Sequence, residues 1–317
     1  MASEFALIRQ YFTRASRHTD LGVGDDAALF TPTPGMQLAT ASDMLVEGTH
    51  FFPDTEPEDL GWKALAVNVS DMAAMGAQPR WALLSLALPH INETWVESFA
   101  RGLFACADAF GVALIGGDTT RGPLNLSVTI IGEVPVGAAI TRAGAAPGDE
   151  IWVTGQPGRA ALGLAHLQRG STLTETGAQE CIAALQRPQP RSTAGMALRG
   201  VASAMLDVSD GLTGDLGHIL EQSGCGAELE ATALPLAPLR ALGASEAEAR
   251  HSLLSGGDDY ELLFTAPPAA HERIAALSLE LALPMTCVGR ITAEPELVLV
   301  ETDGRRITPH GGYDHFA

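Results

Sequence analysis

PEDLGWKALAVNVSDMAAMGA, residues 57–77, is the stretch on which the fold turns. It opens on Pro57, Glu58 and Asp59, runs through good helix formers and reaches Gly76, so start and stop signals enclose one helix. MQLATASDML (36–45) before it and WALLSLAL (81–88) after it are strand-like. Strand–helix–strand alternation marks an α/β arrangement. Further out, residues 4–16 read as a short amphipathic helix, NETWVESFARGLFACADAF (92–110) as a helix with Asn92 as N-cap, VALIGGD (112–118) as a strand running into a glycine turn, and LNLSVTIIGEV (124–134) as a strand. The Gly- and Ala-rich segment VGAAITRAGAAPGDE (136–150), with Pro147, reads as a boundary. Beyond it come a strand at 150–154, helices within 158–202, a strand at 204–208, a helix at 212–223, strands at 226–230 and 260–265, a helix at 269–281, and strands at 285–291 and 296–301. The expected class is α/β or α+β in two domains, 1–137 and 138–317, as suits 317 residues without a solenoid repeat.

Composition narrows the function. The first ten residues, MASEFALIRQ, lack a continuous apolar core, and the apolar windows are too short to span a bilayer, so a soluble cytoplasmic protein with no membrane partner is expected. Cys106, Cys181, Cys225 and Cys287 lie far apart with no C-x-x-C pair, which argues against a disulfide framework or a thiolate zinc site and for ordinary buried thiols. A net charge of −19 leaves no basic footprint for nucleic acid. Lys63 is the sole lysine among nineteen basic residues, and there is no P-loop. Any phosphate handled here must be neutralised by arginine or by metal ions.

Acids recur in small or apolar surroundings: LGVGDDAAL (21–29), ASD (41–43), NVSD (68–71), IGGD (115–118), DVSDG (207–211) and SGGDD (255–259). Asp71 lies among apolar residues of the expected helix, where an unpaired carboxylate is costly and needs a partner or a metal. The alternative is an Asp capping a turn, or a helix that starts near Ser70. Asp43 and Asp118 read as strand ends, and Asp207 and Asp210 bracket Ser209 at a strand-to-helix turn. Ligands of α/β sheets gather at the carboxyl ends of strands, although each position also suits a plain turn. Clustered carboxylates repel unless a cation sits between them, and hard oxygen donors favour Mg²⁺ or Ca²⁺. No EF-hand spacing is present, and Mg²⁺ shares itself with substrate phosphates. Asp25 is open between ligand and turn residue.

The ordered set GVGDDAA, SDMLVEGTHF, KALAVNVSDMAAMGA, LIGGDTTRGP, TRAGAAPGD, DVSDGL, SGGDDYEL and GYDHF closely resembles the thiamine-monophosphate kinase family over essentially the whole chain. That family shares an ATP-binding superfamily with aminoimidazole ribonucleotide synthetase and selenophosphate synthetase. The resemblance implies direct in-line transfer of the γ-phosphate of ATP onto thiamine monophosphate, giving thiamine diphosphate, with several Mg²⁺ ions and no phosphoenzyme. It implies metal ligands at Asp26, Ser42, Asp43, Asp71, Asp118, Asp207 and Asp210. Nucleotide contacts fall at Gly117, Asp118, Arg142 and Ser209, and thiamine-phosphate contacts at His50, Asp258 and Tyr313. Asp71, Asp118, Asp210 and Arg142 carry the catalytic roles. It further implies a homodimer whose N-terminal domains (1–137, ATP- and metal-binding) share a barrel, with 138–317 completing the active-site cleft.

The chemistry agrees with this expectation. Phosphoryl transfer asks mainly for positioning and charge neutralisation, and a phosphate acceptor is already an anionic nucleophile, so no general base is assigned. Arg142 suits a phosphate fork, or is a plain linker arginine; Tyr313 could stack on a thiazolium ring, or anchor the tail. His50 is a substrate contact or a packed histidine. Two departures stand out: Asp258, where close relatives often carry Glu, and Ala41, where some carry a hydroxyl residue. Selenophosphate synthetase is excluded, since it needs a reactive Cys or selenocysteine and a lysine near the N-terminus, and the first of each here are Cys106 and Lys63. An aminoimidazole ribonucleotide synthetase-like enzyme, a non-catalytic divalent-cation-binding protein and a metal-dependent phosphatase are the alternatives.

Overall fold

A computed structural model describes residues 4–15, 18–169, 172–309 and 311–313. The chain divides into two compact units, one of Met1–Met72 and Ala77–Gly137, the other of Ala73–Gly76 and Ala138–Ala317. Among the described residues no helix is long and apolar enough to cross a membrane.

The first unit opens with α1 (Glu4–Leu7), which passes into a π-helical turn at Ile8–Phe12 where an amphipathic helix to residue 16 was expected. Phe12 is buried and meets Phe99 edge-on at 6.4 Å. Then follow β1 (Met36–Val46), α2 (Pro57–Ala74), β2 (Gln78–Leu88), α3 (Glu93–Phe110), β3 (Ala113–Arg121) and β4 (Asn125–Pro135). The sheet order is β1-β4-β2-β3, antiparallel except for the parallel β2–β3 pair, which leaves β1 at an edge. The side chain of Asn92 accepts the amide of Trp95 and starts α3, as its position implied. Helix α2 is apolar nearly all round: Leu60, Leu65, Val67, Val69 and Met72 are at most 2% exposed, which makes it a buried helix rather than a surface one. Burying each of the larger side chains stabilises the fold by about 1.5–3 kcal/mol.

The second unit runs β5 (Glu150–Thr154), α4 (Arg159–Arg169), α5 (Glu175–Gln186), α6 (Ser192–Ala197), β6 (Ala204–Asp207), α7 (Leu212–Ser223), β7 (Gly226–Glu230), α8 (Leu236–Ala241), α9 (Glu246–Ser255), β8 (Leu262–Ala266), α10 (His271–Glu280), β9 (Met285–Thr292), β10 (Leu297–Val300) and β11 (Arg306–Ile307). Its seven strands follow the order β11-β10-β7-β9-β5-β8-β6, with only β10 and β7 parallel. So the second sheet is mixed and mainly antiparallel, the α+β side of the expected class. One core packs Ile151, Leu206, Leu216 and Leu263; another packs Trp152, Met205, Phe264 and Ile274.

Candidate active site

In the first unit Asp43, Asp71 and Asp118 sit inside regular elements, not at strand ends. Asp43 lies inside β1, paired in register with Val128, because the β1–β4 ladder continues to Val46. Asp118 lies inside β3 opposite Ser85, and that ladder continues to Arg121. The expected strand ends at Asp43 and Asp118 are therefore corrected by the pairing register of their neighbours. Gly117 explains how β3 passes through two glycines without turning: its φ is 145°, and a Cβ there would meet the Leu84 carbonyl oxygen at 1.8 Å.

Helix α2 carries two residues to the edge strand. The side-chain amide of Asn68, fully buried, donates to the Ala64 carbonyl, and its oxygen accepts the Asp43 amide at 3.2 Å. One turn on, Asp71 is half-buried, and its side chain is hydrogen-bonded to that of Asp43. Burial raises the Asp43 carboxyl above its ordinary value, against the opposing pull of Asp71 and of nearby His50. His50 stands in the turn after β1, where its Nδ1 accepts the Val46 amide at 3.0 Å, which leaves any proton of the neutral ring on Nε2. The Ser42 hydroxyl reaches Thr129 Oγ1 (3.0 Å), the Val128 carbonyl (3.2 Å) and Ser127 Oγ (3.4 Å).

The GDD loop is closed at its neck by the Leu21–Leu29 bridge, and Phe30 just beyond stacks on Trp81 at 4.3 Å. Asp25 and Asp26 are both exposed, and Asp25 Oδ1 accepts the Asp26 amide at 2.9 Å. Asp25 thus serves the loop conformation. Asp118 and Gly117 are also exposed.

The second unit holds its acids on turns. Asp207 closes β6 and Asp210 stands in the turn before α7, as the sequence implied. This turn is tied by its own main chain. Asp215 Oδ2 accepts the amides of Ser209 and Asp210, both at 3.0 Å. The Ser209 carbonyl accepts the Asp258 amide at 2.8 Å, and the Asp210 carbonyl accepts the Tyr313 amide at 3.1 Å. Three stretches far apart in sequence, DVSDGLTGD, SGGDDYEL and GGY, therefore meet at two residues. The tail can approach this closely only because Gly312 lacks a side chain: a Cβ there would lie 2.3 Å from the Asp210 carbonyl oxygen. The Tyr313 side chain is 57% exposed; the rest of GYDHF, residues 314–316, lies outside the described residues.

Sequence reasoning passed over Asp215, which is 3% exposed. Burial pushes its carboxyl up to about 7; the Asp210 amide pulls it down, and the nearby carboxylates of Asp210 and Asp207 push it up. Its place in the first turn of α7, five residues after Asp210, was the available signal. Asp259, quoted within SGGDD but given no role, and Glu261 are two more. Asp259 accepts the amides of Gly158 (2.5 Å) and Ala160 (3.1 Å) at the start of α4. Glu261 is held by both arms of Arg191 at 2.6 Å, by Thr154 Oγ1 at 2.8 Å and by the Gln156 amide at 3.2 Å. Arg142 is exposed, in a loop fixed by Ser223, whose hydroxyl accepts the amides of Gly144 and Ala145 at 3.2 Å.

Among the described residues no group of three or more His, Cys, Asp or Glu side chains gathers to hold a metal ion. What the structure does bring together is the Asp43–Asp71 pair in the first unit, and Asp207, Asp210 and Asp215 in the second. Two carboxyl side chains in contact form a pair of oxygen donors of the kind a hard divalent cation takes, so the donor chemistry fits Mg²⁺.

Residues 24–134 match the family model described as AIR synthase related protein, N-terminal domain, and residues 146–301 match its C-terminal domain counterpart. The thiamine-monophosphate kinase of Salmonella typhimurium is 47% identical over 99% of this chain and 98% of its own length. A crystal structure of the thiamine-monophosphate kinase from Stenotrophomonas maltophilia superposes with a TM-score of 0.84 at 43% identity, covering 97% of each chain. A structure described as AaThiL complexed with AMPPCP and TMP superposes at 0.78 with 30% identity, over 99% of this chain and 97% of that one.

Proposed function

The chain belongs to the thiamine-monophosphate kinase family, and from that premise we propose that it transfers the γ-phosphate of ATP directly, in line, onto the phosphate of thiamine monophosphate in a Mg²⁺-dependent reaction. The observation that carries this reading is the junction at Ser209 and Asp210, where amide and carbonyl of both residues are engaged by Asp215, Asp258 and Tyr313. Such a turn costs no reorganisation when phosphates arrive.

In this reading Asp26, Ser42, Asp43, Asp71 and Asp118 hold Mg²⁺ from the first unit, and Asp207 and Asp210 hold it from the second. Bound Mg²⁺ would neutralise the phosphate oxygens of both reactants, which one lysine cannot do. The remaining roles belong to the chain itself. Gly117, Asp118, Arg142 and Ser209 contact the nucleotide, with the exposed Arg142 guanidinium matching two phosphate oxygens at once. His50, Asp258 and Tyr313 contact thiamine monophosphate, and the exposed Tyr313 ring offers a face to the thiazolium cation, worth about 0.5–2 kcal/mol. Asp71, Asp118, Asp210 and Arg142 carry the catalytic charge balance. The acceptor phosphate is its own nucleophile, so no side chain takes a proton from it.

The first unit is assigned ATP, metal and dimer contacts, and the second completes the active site. The homodimer reading is supported by β1, an edge strand of eleven residues with Leu38 (47%) and Met44 (56%) exposed, which a second copy's sheet would cover. The cytoplasm is the compartment assigned.

The test is direct. Purified protein is incubated with ATP, Mg²⁺ and thiamine monophosphate, and thiamine diphosphate is sought by chromatography beside EDTA and no-ATP controls. Product that needs both ATP and metal is expected. Folded, ATP-binding protein that makes none would move the assignment to a synthetase acceptor.

A further inference from the structure

Asp258 and Tyr260 are two of three non-glycine residues with positive φ among the described residues, at 67° and 53°. For a residue as bulky as tyrosine this backbone is an outlier, and it persists only where the surroundings over-determine it. Here they do. Between the two, the Asp259 carboxylate takes the Gly158 and Ala160 amides at the start of α4. After them, Glu261 is locked to Arg191, Thr154 and Gln156. On the main chain, the amides of Asp258 and Tyr260 donate to the carbonyls of Ser209 and Val208, each at 2.8 Å. The segment therefore cannot relax either strained residue without breaking a buried contact.

One product of this conformation is a short side-chain link: the Tyr260 hydroxyl donates to Asp258 Oδ1 at 2.9 Å, while its ring is 8% exposed. A donor on one oxygen fixes the plane of a carboxylate. The Asp258 side chain is short, so its reach depends on the backbone and on the group that holds it. We propose that Tyr260 is a positioning residue that aims the Asp258 carboxylate at the cationic, phosphate-bearing acceptor, and that the strained Asp258–Tyr260 segment is the device that brings the two together. This inference rests on the kinase reading above and names the residue through which that reading discriminates for the acceptor rather than for ATP.

Tyr260→Phe keeps the buried ring and removes only the hydroxyl. The expected result is a rise on the order of tenfold in KM for thiamine monophosphate, with KM for ATP and kcat within about twofold. Asp258→Asn should raise the same KM, and adding Tyr260→Phe to it should bring no further rise, because the hydroxyl acts through the carboxylate. A purely structural tyrosine would instead move both KM values and the thermal midpoint together. An unchanged acceptor KM in Tyr260→Phe beside active wild type, or additive effects in the double variant, overturns the role of Tyr260 alone. Wild type that makes no thiamine diphosphate overturns the functional reading and this one with it. Should Tyr260→Phe fail to fold, Asp258→Asn decides: an acceptor KM equal to wild type overturns the proposal.

Discussion

The two units hold their acids in opposite ways. In the first, Asp43 and Asp71 project from a strand and a helix whose backbones are already satisfied, and the carboxyl groups are pressed against each other. In the second, the acids stand on a turn, and a buried acid beneath it, Asp215, accepts two of its backbone amides on one oxygen. The first arrangement ties one carboxyl side chain to another across a strand and a helix; the second fixes main-chain geometry and leaves the carboxylates of Asp207 and Asp210 where the turn puts them. The difference teaches that the first set depends on a contact between side chains, and the second on a turn for which Asp215 is the frame. Substitutions should separate the two.

Asp71→Asn should have the largest effect, and on activity only. The amide keeps the shape and can donate to Asp43 where the Asp71 side chain is now hydrogen-bonded to it. Turnover should fall at least about a hundredfold, as expected on losing a metal ligand, while the thermal midpoint stays level or rises. Steady-state kinetics alongside a melting curve check both halves; near-wild-type turnover would take Asp71 out of the metal set.

Asp215→Ala should reverse that signature. It strands two amides in a site only 3% exposed, at a cost of about 2 kcal/mol in stability, and lets Ser209 and Asp210 drift, so turnover falls by about tenfold as well. Asp215→Asn retains one accepting oxygen and should recover most of the stability. A melting curve for the alanine variant that overlays the wild type would end the description of Asp215 as the frame.

Local signals made the regular elements legible. Helix α2 opens on Pro57 with Glu58 and Asp59 in its first turn, α3 has its Asn92 cap and ends at Gly111, and α7 ends at Gly224, all within their own sequence. Helices α8 and α9 were passed over, although Ser245 and Glu248 form a capping box, because Pro235, Pro238 and Gly243 make the region read as loop. The site was legible as a list of acids, and only in part as an arrangement. That Asp43 and Asp118 fall inside strands is decided by the partner strands, which no local window contains. Asp215, Asp259 and Glu261 looked like ordinary polar residues; their importance comes from burial, which is set by tertiary packing.

A third acid sharpens the contrast within the first unit. Glu133, on β4, is as buried as Asp215, yet it has a cation: Arg80 Nε lies at 3.0 Å, and Thr33 donates its amide at 2.6 Å and its hydroxyl at 2.9 Å. Burial pushes its carboxyl up, but the Thr33 and Arg80 bonds together outweigh it and hold the group below the ordinary value. The sign follows. A carboxyl with a lower value folded than unfolded contributes stability above about pH 4.3, its unfolded value, and loses that contribution as pH falls through the folded value. Glu133→Gln keeps an acceptor for Thr33 but leaves Arg80 without its charge, so it should cost about 1 kcal/mol at neutral pH and progressively less in acid. Urea denaturation of both proteins across pH 3 to 7 reads the gap directly. A gap that stays constant over that range would mean the pair contributes through shape alone, and that paired and crowded acids in this unit do not differ in the way argued here.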